Sequence, residues 1–470
     1  MINKFIYNKI LELFPFEPTS EQSAAIEVLS NFIVSPQKNT LLLFKGYAGT
    51  GKTTLLGATV KMLHSLKHKT VLLAPTGRAA KVFSEYAEHN AYTIHKKIYR
   101  KKGFSADFDG FLLSENLHKD TFFIVDEASM ISNEPTGTNV FGSGRLLDDL
   151  MKYIYSGENC KLILLGDTAQ LPPVSITESP ALNVPYLERY NLHIVEIQLT
   201  HVVRQALDSG ILINATNIRN ALRSGEINMY PNILTENFPD VKKIRGDELI
   251  DEISSSYNQT GIDGTMVICR SNKNANIYNN GIRNRILYRE DEISSGDRLM
   301  VVKNNYFRKN SETDSDFIAN GEIIKVLRVR KTEEMYGFRF CNVLVAFEDD
   351  DTEMELKIIL DTLSSESPAL TKEQNNNLFA AVNENYAHIK NKRERMKEIK
   401  NDLYFNALQV KYAYAVTCHK AQGGQWSNVF LDVGYVTEEM MGEDFYRWLY
   451  TAFTRATQKL FLVNWRLEKT

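Results

Sequence analysis

Leu41-Leu42-Leu43-Phe44 runs straight into Gly46-Tyr47-Ala48-Gly49-Thr50-Gly51-Lys52-Thr53, and a helical pattern follows over residues 54–66. A buried strand that turns through a glycine-rich loop into a helix constrains the fold more than any other feature here. Such a unit belongs to a parallel sheet with helices against its faces. The loop fits G-x-x-x-x-G-K-[ST] at every specified position. Its glycines let backbone N–H groups turn toward phosphate oxygens, and the helix N-terminus favours the anion. Gly46, Ala48, Gly49, Thr50, Gly51, Lys52, Thr53 and Thr54 are therefore candidate nucleotide contacts. Lys52 is expected to reach the β- and γ-phosphates of ATP, and the Thr53 hydroxyl to hold Mg²⁺.

Short apolar runs recur at 70–74, 122–125, 162–165, 267–269, 412–416, 429–433 and 460–463, with helical patterns between them. This alternation predicts an α/β fold with two groups of parallel strands, one before about residue 200 and one after. A chain of 470 residues exceeds one core, so about two to four domains are expected. The texture changes at 296–355, where Glu322-Ile323-Ile324-Lys325-Val326-Leu327-Arg328-Val329 and Cys341-Asn342-Val343-Leu344-Val345-Ala346-Phe347 predict antiparallel strands of a small barrel. Residues 371–400 predict one long polar helix, and 133–144 an exposed loop.

Hydrophobic content of 43%, 24% charged residues and a net charge of −3 describe an ordinary soluble chain. They do not advertise nucleic-acid binding, nor exclude a basic groove. The four cysteines, Cys160, Cys269, Cys341 and Cys418, are far apart. That spacing argues against a zinc site or disulfide framework and for reduced thiols in a cytoplasmic protein. No apolar run nears the ~20 residues of a spanning helix, so no membrane contact is expected. Residues 1–13 predict a surface helix.

Phe122-Phe123-Ile124-Val125-Asp126-Glu127 is an apolar strand ending in two carboxylates. Downstream of a phosphate loop, the first acid suits Mg²⁺ and the second suits the attacking water. Asp126 and Glu127 take those roles. Leu162-Ile163-Leu164-Leu165-Gly166-Asp167-Thr168-Ala169-Gln170-Leu171-Pro172-Pro173-Val174 repeats the pattern, and Gln170 is a candidate for the γ-phosphate. Splitting a phosphoanhydride needs added positive charge on the phosphoryl group. Arg204 and Arg455 are candidates to bring it from the second strand group.

In that order these segments resemble the superfamily 1B DNA helicases, the RecD, phage Dda and PIF-type enzymes. The resemblance runs over about residues 19–463. Thr19 and Gln22 resemble the adenine-reading Q motif, and the glycine loop motif I. Ala74-Pro75-Thr76-Gly77-Arg78-Ala79-Ala80-Lys81 resembles motif Ia, and Thr93-Ile94-His95 the next strand-contacting motif. Asp126-Glu127 is similar to motif II, residues 166–174 to motif III, and Val202-Val203-Arg204-Gln205 to motif IV. Val416-Thr417-Cys418-His419-Lys420-Ala421-Gln422-Gly423 resembles motif V, with Gln422 and Gly423 expected at the nucleotide. Leu449-Tyr450-Thr451-Ala452-Phe453-Thr454-Arg455-Ala456 resembles motif VI.

The resemblance implies two RecA-like domains that move 5′ to 3′ on single-stranded DNA and unwind duplex; polarity follows from the family alone. It implies a first motor domain from 1–93 and 120–199 with a small insert at 94–119. It implies a second from 200–296 and 407–470, carrying an SH3-like barrel insert at 297–406. Expected partners are single-stranded DNA and duplex with a single-stranded tail, alongside replication or recombination proteins, with the helicase itself a monomer. A translocase that displaces proteins without unwinding, and an ATP-switched nucleic-acid-binding module, are the alternatives.

Candidate strand contacts are Pro75, Thr76, Arg78, Lys81, Thr93, His95, Phe104, Pro172, Val174, Thr417, His419 and Lys420. Cations and hydroxyls suit a phosphate backbone, and flat apolar groups suit bases. His95 and His419 equally suit structural hydrogen bonds, and Pro172-Pro173-Val174 a rigid turn. Residues 95–111 combine a basic cluster with Phe104, Phe108 and Phe111 around Asp109-Gly110. This predicts a hairpin that wedges a duplex fork, or a satellite core with a basic edge.

Overall fold

The computed structural model describes residues 2–101, 111–135, 141–203, 208–227, 230–306, 317–348 and 352–465. The apolar run over Leu41–Phe44 forms the strand Thr40–Gly46, whose side chains alternate between two cores. Leu42 and Phe44 pack with Leu55 and Leu56 of the helix Lys52–Ser65. Leu41 and Leu43 pack on the other face with Leu147 and Ile154 of the helix Leu146–Ser156. A strand buried on both faces needs apolar side chains at every position, as this one has.

The strand belongs to a six-stranded parallel sheet. Its order is Ala91–Thr93, Lys69–Ala74, Thr121–Val125, Lys161–Gly166, Thr40–Gly46 and His193–Leu199. Three adjacent strands thus end side by side, in Asp126, in Asp167 and in the glycine loop. Ligands of parallel sheets gather at such carboxyl ends.

A second parallel sheet has five strands, ordered Ala415–Thr417, Thr265–Cys269, Trp426–Asp432, Ala456–Val463 and Val241–Ile244. Between its early and late strands lies the closed barrel of Arg298–Val301, Ile323–Met335, Phe338–Phe347, Glu353–Ile359 and Leu408–Tyr412. The predicted α/β architecture with a β-barrel insert is therefore present.

Three sequence expectations differ in detail. The apolar run 412–416 is not one strand. Leu408–Tyr412 closes the barrel, past the boundary drawn at 406, while Ala415–Thr417 joins the second sheet. Tyr414 marks the crossing: it is fully buried, and its hydroxyl donates to Asp297 at 3.0 Å. Residues 371–400 form two helices, Lys372–Asn385 and Lys392–Asn401. Asn391 caps the second, and Leu378, Val382 and Ile399 fold together over Phe338 and Phe340 of the barrel. Polar composition hid those few apolar anchors. The loop 133–144 is pinned at both described ends. Asn133 donates to Asp148 at 2.8 Å, and Phe141 packs on Tyr99 and Phe111 with ring centroids 5.0 and 5.1 Å apart.

The helix Ile2–Leu13 buries Ile6 and Ile10. All four cysteines are buried. No helix among the described residues is long and apolar enough to cross a membrane.

Candidate active site between the two sheets

The glycine loop is shaped by two residues with positive φ, Gly49 at 74° and Gly51 at 77°. A side chain at Gly51 would be strained there, and its Cβ would stand 2.5 Å from Gln22 Nε2. Gln22 packs this closely because its amide is engaged on both sides. Its Oε1 accepts from the Thr19 N–H at 3.0 Å, and its Nε2 donates to the Thr50 carbonyl at 2.9 Å. Thr19 in turn caps the helix Ser20–Val34 through a reciprocal capping box with Gln22. The two residues expected to read adenine thus fasten that helix to the glycine loop. Lys52 Nζ donates to the Gly46 carbonyl at 3.1 Å, and Thr53 and Thr54 follow in the first turn of the helix.

Around Lys52 stand three carboxylates. Burial and the Glu127 carboxylate raise the Asp126 pKa, against the charges of Lys52 and Arg455. Burial raises that of Asp167, again against Lys52. Glu127 sits at φ 52°, a left-handed conformation rare for a residue with a side chain. Its amide donates to Asp126 Oδ1 at 2.8 Å. Glu127 Oε2 and Gln170 Oε1 are buried without a hydrogen-bond partner among the described residues. Crowded, desolvated carboxylate oxygens suit a hard divalent cation. The residues fit Mg²⁺, which Asp126 and the Thr53 hydroxyl would hold.

The second sheet supplies the rest of the wall. Arg455 is 3% exposed, and its Nη1 lies 3.7 Å from Glu127 Oε1. Its Nε donates to the Thr451 carbonyl at 3.1 Å. The Val203 N–H donates to the Gly49 carbonyl at 2.9 Å, so the segment entering Arg204 touches the glycine loop. Arg204 itself lies outside the described residues. Gln422 donates to the Leu171 carbonyl at 2.7 Å. Gly423 meets the other candidate site instead: a Cβ there would be 2.7 Å from that of Ala79.

Two of the strand-contact candidates, Arg78 and Lys81, stand at the junction of the two halves. Pro75 precedes Thr76, whose hydroxyl caps the helix Gly77–Ala87, and Thr93 caps Ile94–Ile98. The Arg78 guanidinium stacks 4.0 Å from the Trp426 ring centroid. Lys81 donates to the Glu348 carbonyl at 2.6 Å. Both cations thus bridge the two halves of the molecule. Burial lowers the His95 pKa to about 4, and the ring packs 4.9 Å from that of Phe141. His95 is therefore a neutral part of an aromatic cluster, nearer to the structural alternative. Burial also lowers His419, and brings Lys420 to about 8. Thr417 leads into their short helix, Cys418–Ala421. Pro172 is buried, whereas Val174 is 70% exposed. The predicted hairpin has its base in Tyr99–Lys101 paired with Phe111–Leu113. Phe104, Phe108 and the turn lie outside the described residues.

The chain is similar to known proteins along most of its length. Residues 18–232 match the AAA domain family, and residues 412–463 the UvrD-like helicase C-terminal domain family. The chain is 25% identical to the ATP-dependent DNA helicase dda of Enterobacteria phage T4, over 95% of this chain and 99% of that protein. It is 24% identical to the ATP-dependent RecD2 DNA helicase of Deinococcus radiodurans, over 94% of this chain and 48% of that one. Along nearly its whole length the chain is thus similar to ATP-dependent DNA helicases.

Other relatives include the uncharacterized protein R530 of Acanthamoeba polyphaga mimivirus, 23% identical over 94% of this chain and 98% of that protein. It spans only 38% of the uncharacterized protein MJ1519 of Methanocaldococcus jannaschii, a relative 26% identical over 94% of this chain. A solved structure concerned with DNA unwinding at forked double-stranded DNA by two coordinating Pif1 helicases shares the fold. Its TM-score is 0.50 at 15% identity, covering 97% of this chain and 94% of that one.

Several residues that build this candidate site carry no sequence signal of their own. Glu21 accepts from the Thr200 and His201 amides at 2.8 and 3.0 Å, fixing the approach to Arg204. Trp426 supplies the ring under Arg78. Tyr450 and Asp167 meet across the cleft at 2.6 Å. Both stand inside recognised motifs, yet nothing in the chain pairs them.

Proposed function

We propose that this chain is an ATP-hydrolysing DNA helicase that moves 5′ to 3′ on single-stranded DNA and separates duplex. The observation that carries the reading is Arg455 beside Glu127, two groups from different sheets facing one phosphate loop. A site divided in this way makes ATP a ligand of the closed arrangement, so hydrolysis changes how the halves sit. Polarity rests on the family resemblance alone.

In this reading Thr53 and Asp126 hold Mg²⁺, which screens phosphate charge when bound. Lys52 and the amides of residues 49–54 hold the β- and γ-phosphates, with Ala48 beside them. Glu127 orients the attacking water and takes its proton as the bond from the γ-phosphorus to the bridging oxygen breaks. Gln170 meets the γ-phosphate, and Arg204 and Arg455 stabilise its charge. Thr19, Gln22, Gln422 and Gly423 frame the nucleotide. The strand crosses the tops of both sheets, over Pro75, Thr76, Arg78, Lys81, Thr93, Pro172, Val174, Thr417, His419 and Lys420. The hairpin with Phe104 parts the fork. Residues 1–93 and 120–199 form one motor domain, and 200–296 with the chain after the barrel form the other. The protein works as a monomer in the cytoplasm.

Two measurements test this reading. A single-stranded oligonucleotide is expected to stimulate ATP turnover. A duplex with a 5′ tail is expected to be unwound, and one with a 3′ tail is not. Stimulated turnover without unwinding of either would leave a translocase. Turnover indifferent to DNA would remove the motor altogether.

A further inference from the structure

The helix Glu443–Phe453 of the second half grips residues 167–171 of the first along their whole length. Arg447 donates to the carbonyls of Thr168 and Gln170. The Leu171 N–H donates to Thr451 Oγ1 at 2.8 Å. At the centre is Tyr450, 1% exposed. Its hydroxyl donates to Asp167 Oδ2 at 2.6 Å and accepts from the Ala48 N–H at 2.8 Å. One oxygen thus serves two loops of the nucleotide site from the opposite half of the molecule. The other Asp167 oxygen accepts from the Ala169 N–H at 2.9 Å, which fixes the turn before Gln170.

We propose that Tyr450 is a positioning residue that couples the two halves to ATP turnover, by holding the 167–171 segment and the glycine loop in one register. This rests on the helicase reading above. The physical reason is the cost of separation. The Tyr450 hydroxyl and the Asp167 carboxylate are shut away from water and the Ala48 amide is half-buried, so parting the first two leaves a buried donor and a carboxylate unsatisfied. They move together or not at all. The helix that carries Tyr450 ends at Phe453, two residues before Arg455. A shift of that helix therefore displaces Arg455, Gln170 and the loop amide as one unit. Binding of a strand across the second half would reach the phosphates through this hydroxyl.

The test is steady-state ATP turnover of the full chain, with and without a single-stranded oligonucleotide, for Tyr450→Phe, Asp167→Asn and the double variant. Tyr450→Phe is expected to keep the KM for ATP within about twofold while DNA-stimulated kcat falls about tenfold, the worth of a hydrogen bond to a charged group. The double variant is expected to lose no more than the worse single one, because both break one link. Full stimulation in Tyr450→Phe, or losses that simply multiply, would overturn the proposal. Thermal melting checks that Tyr450→Phe is folded. If it is not, Asp167→Asn, which keeps the side-chain shape, carries the same expectation and the same refutation. A parent chain without stimulation would remove the helicase reading and this inference together. A stimulated parent with an equally stimulated Tyr450→Phe would remove the inference alone.

Discussion

The Arg455 guanidinium stands 3.7 Å from the Glu127 carboxylate, although Glu127 follows a strand of the first sheet and Arg455 precedes a strand of the second. Neither is satisfied by the other alone. Arg455 is held by carbonyls of its own half, and Glu127 keeps one buried oxygen without a partner among the described residues.

Arg455→Ala should cut ATP turnover by roughly 10³-fold, since positive charge on the transferring phosphoryl group is worth that much or more. Binding of a fluorescent ATP analogue should survive. Turnover close to the parent's would take Arg455 out of the chemistry.

Lys52→Ala should abolish turnover while circular dichroism stays that of the parent, because Lys52 gives up its bond to the Gly46 carbonyl and the charge that Asp126 and Asp167 face, and no core side chain. Glu127→Gln should still bind ATP yet fail to split it. A Glu127→Gln variant that hydrolyses at the parent's rate would refute the assignment of Glu127 to the attacking water.

Lys420 should make strand binding sensitive to alkali. Burial lowers its pKa to about 8, and only the ammonium form attracts phosphate. The charged fraction falls as pH rises through that value, so affinity for a single strand should fall with it. Lys411, also near 8 through burial and the charge of Lys420, is itself bonded to the carbonyls of Thr362 and Ser365 and is shut away from a strand. Lys420→Arg should therefore flatten the profile measured by fluorescence anisotropy. An unchanged profile would place the strand elsewhere.

Glu21 should stabilise the fold at neutral pH and not in acid. Burial would raise its pKa, but the amides of His201 and Thr200, with the Thr200 hydroxyl, outweigh it and bring the value to about 2. Its folded value lies below its unfolded value of about 4.3, so the contribution is whole above that pH and fades as pH falls toward about 2. Glu21→Gln should lower the melting temperature at pH ~7, with the gap to the parent closing in acid. A gap of constant size would mean the effect is only shape.

The glycine loop, the Asp126-Glu127 pair, the α/β alternation and the barrel were legible because each is local. Apolar runs of strand length, a loop of fixed spacing and period-2 alternation announce themselves within a few residues. The two helices at 372–401 were not, since Leu378, Val382 and Ile399 are sparse in a polar stretch and are explained only by Phe338 and Phe340 beneath them. The loop 133–144 gave no account of itself until Phe141 was seen in the cluster of Tyr99 and Phe111.

By itself the sequence determined which chemistry the chain carries: a phosphate loop, two acids at a strand end, and cations in a set order. Only the tertiary structure decided who faces whom. Gln22 fastens to Thr50, Arg78 lies on Trp426, and Tyr450 joins Asp167 to Ala48 over separations of up to 402 residues. Local pattern specifies an element through its own backbone and side-chain period. A contact between distant elements follows from how whole cores pack, and no short stretch of chain encodes that.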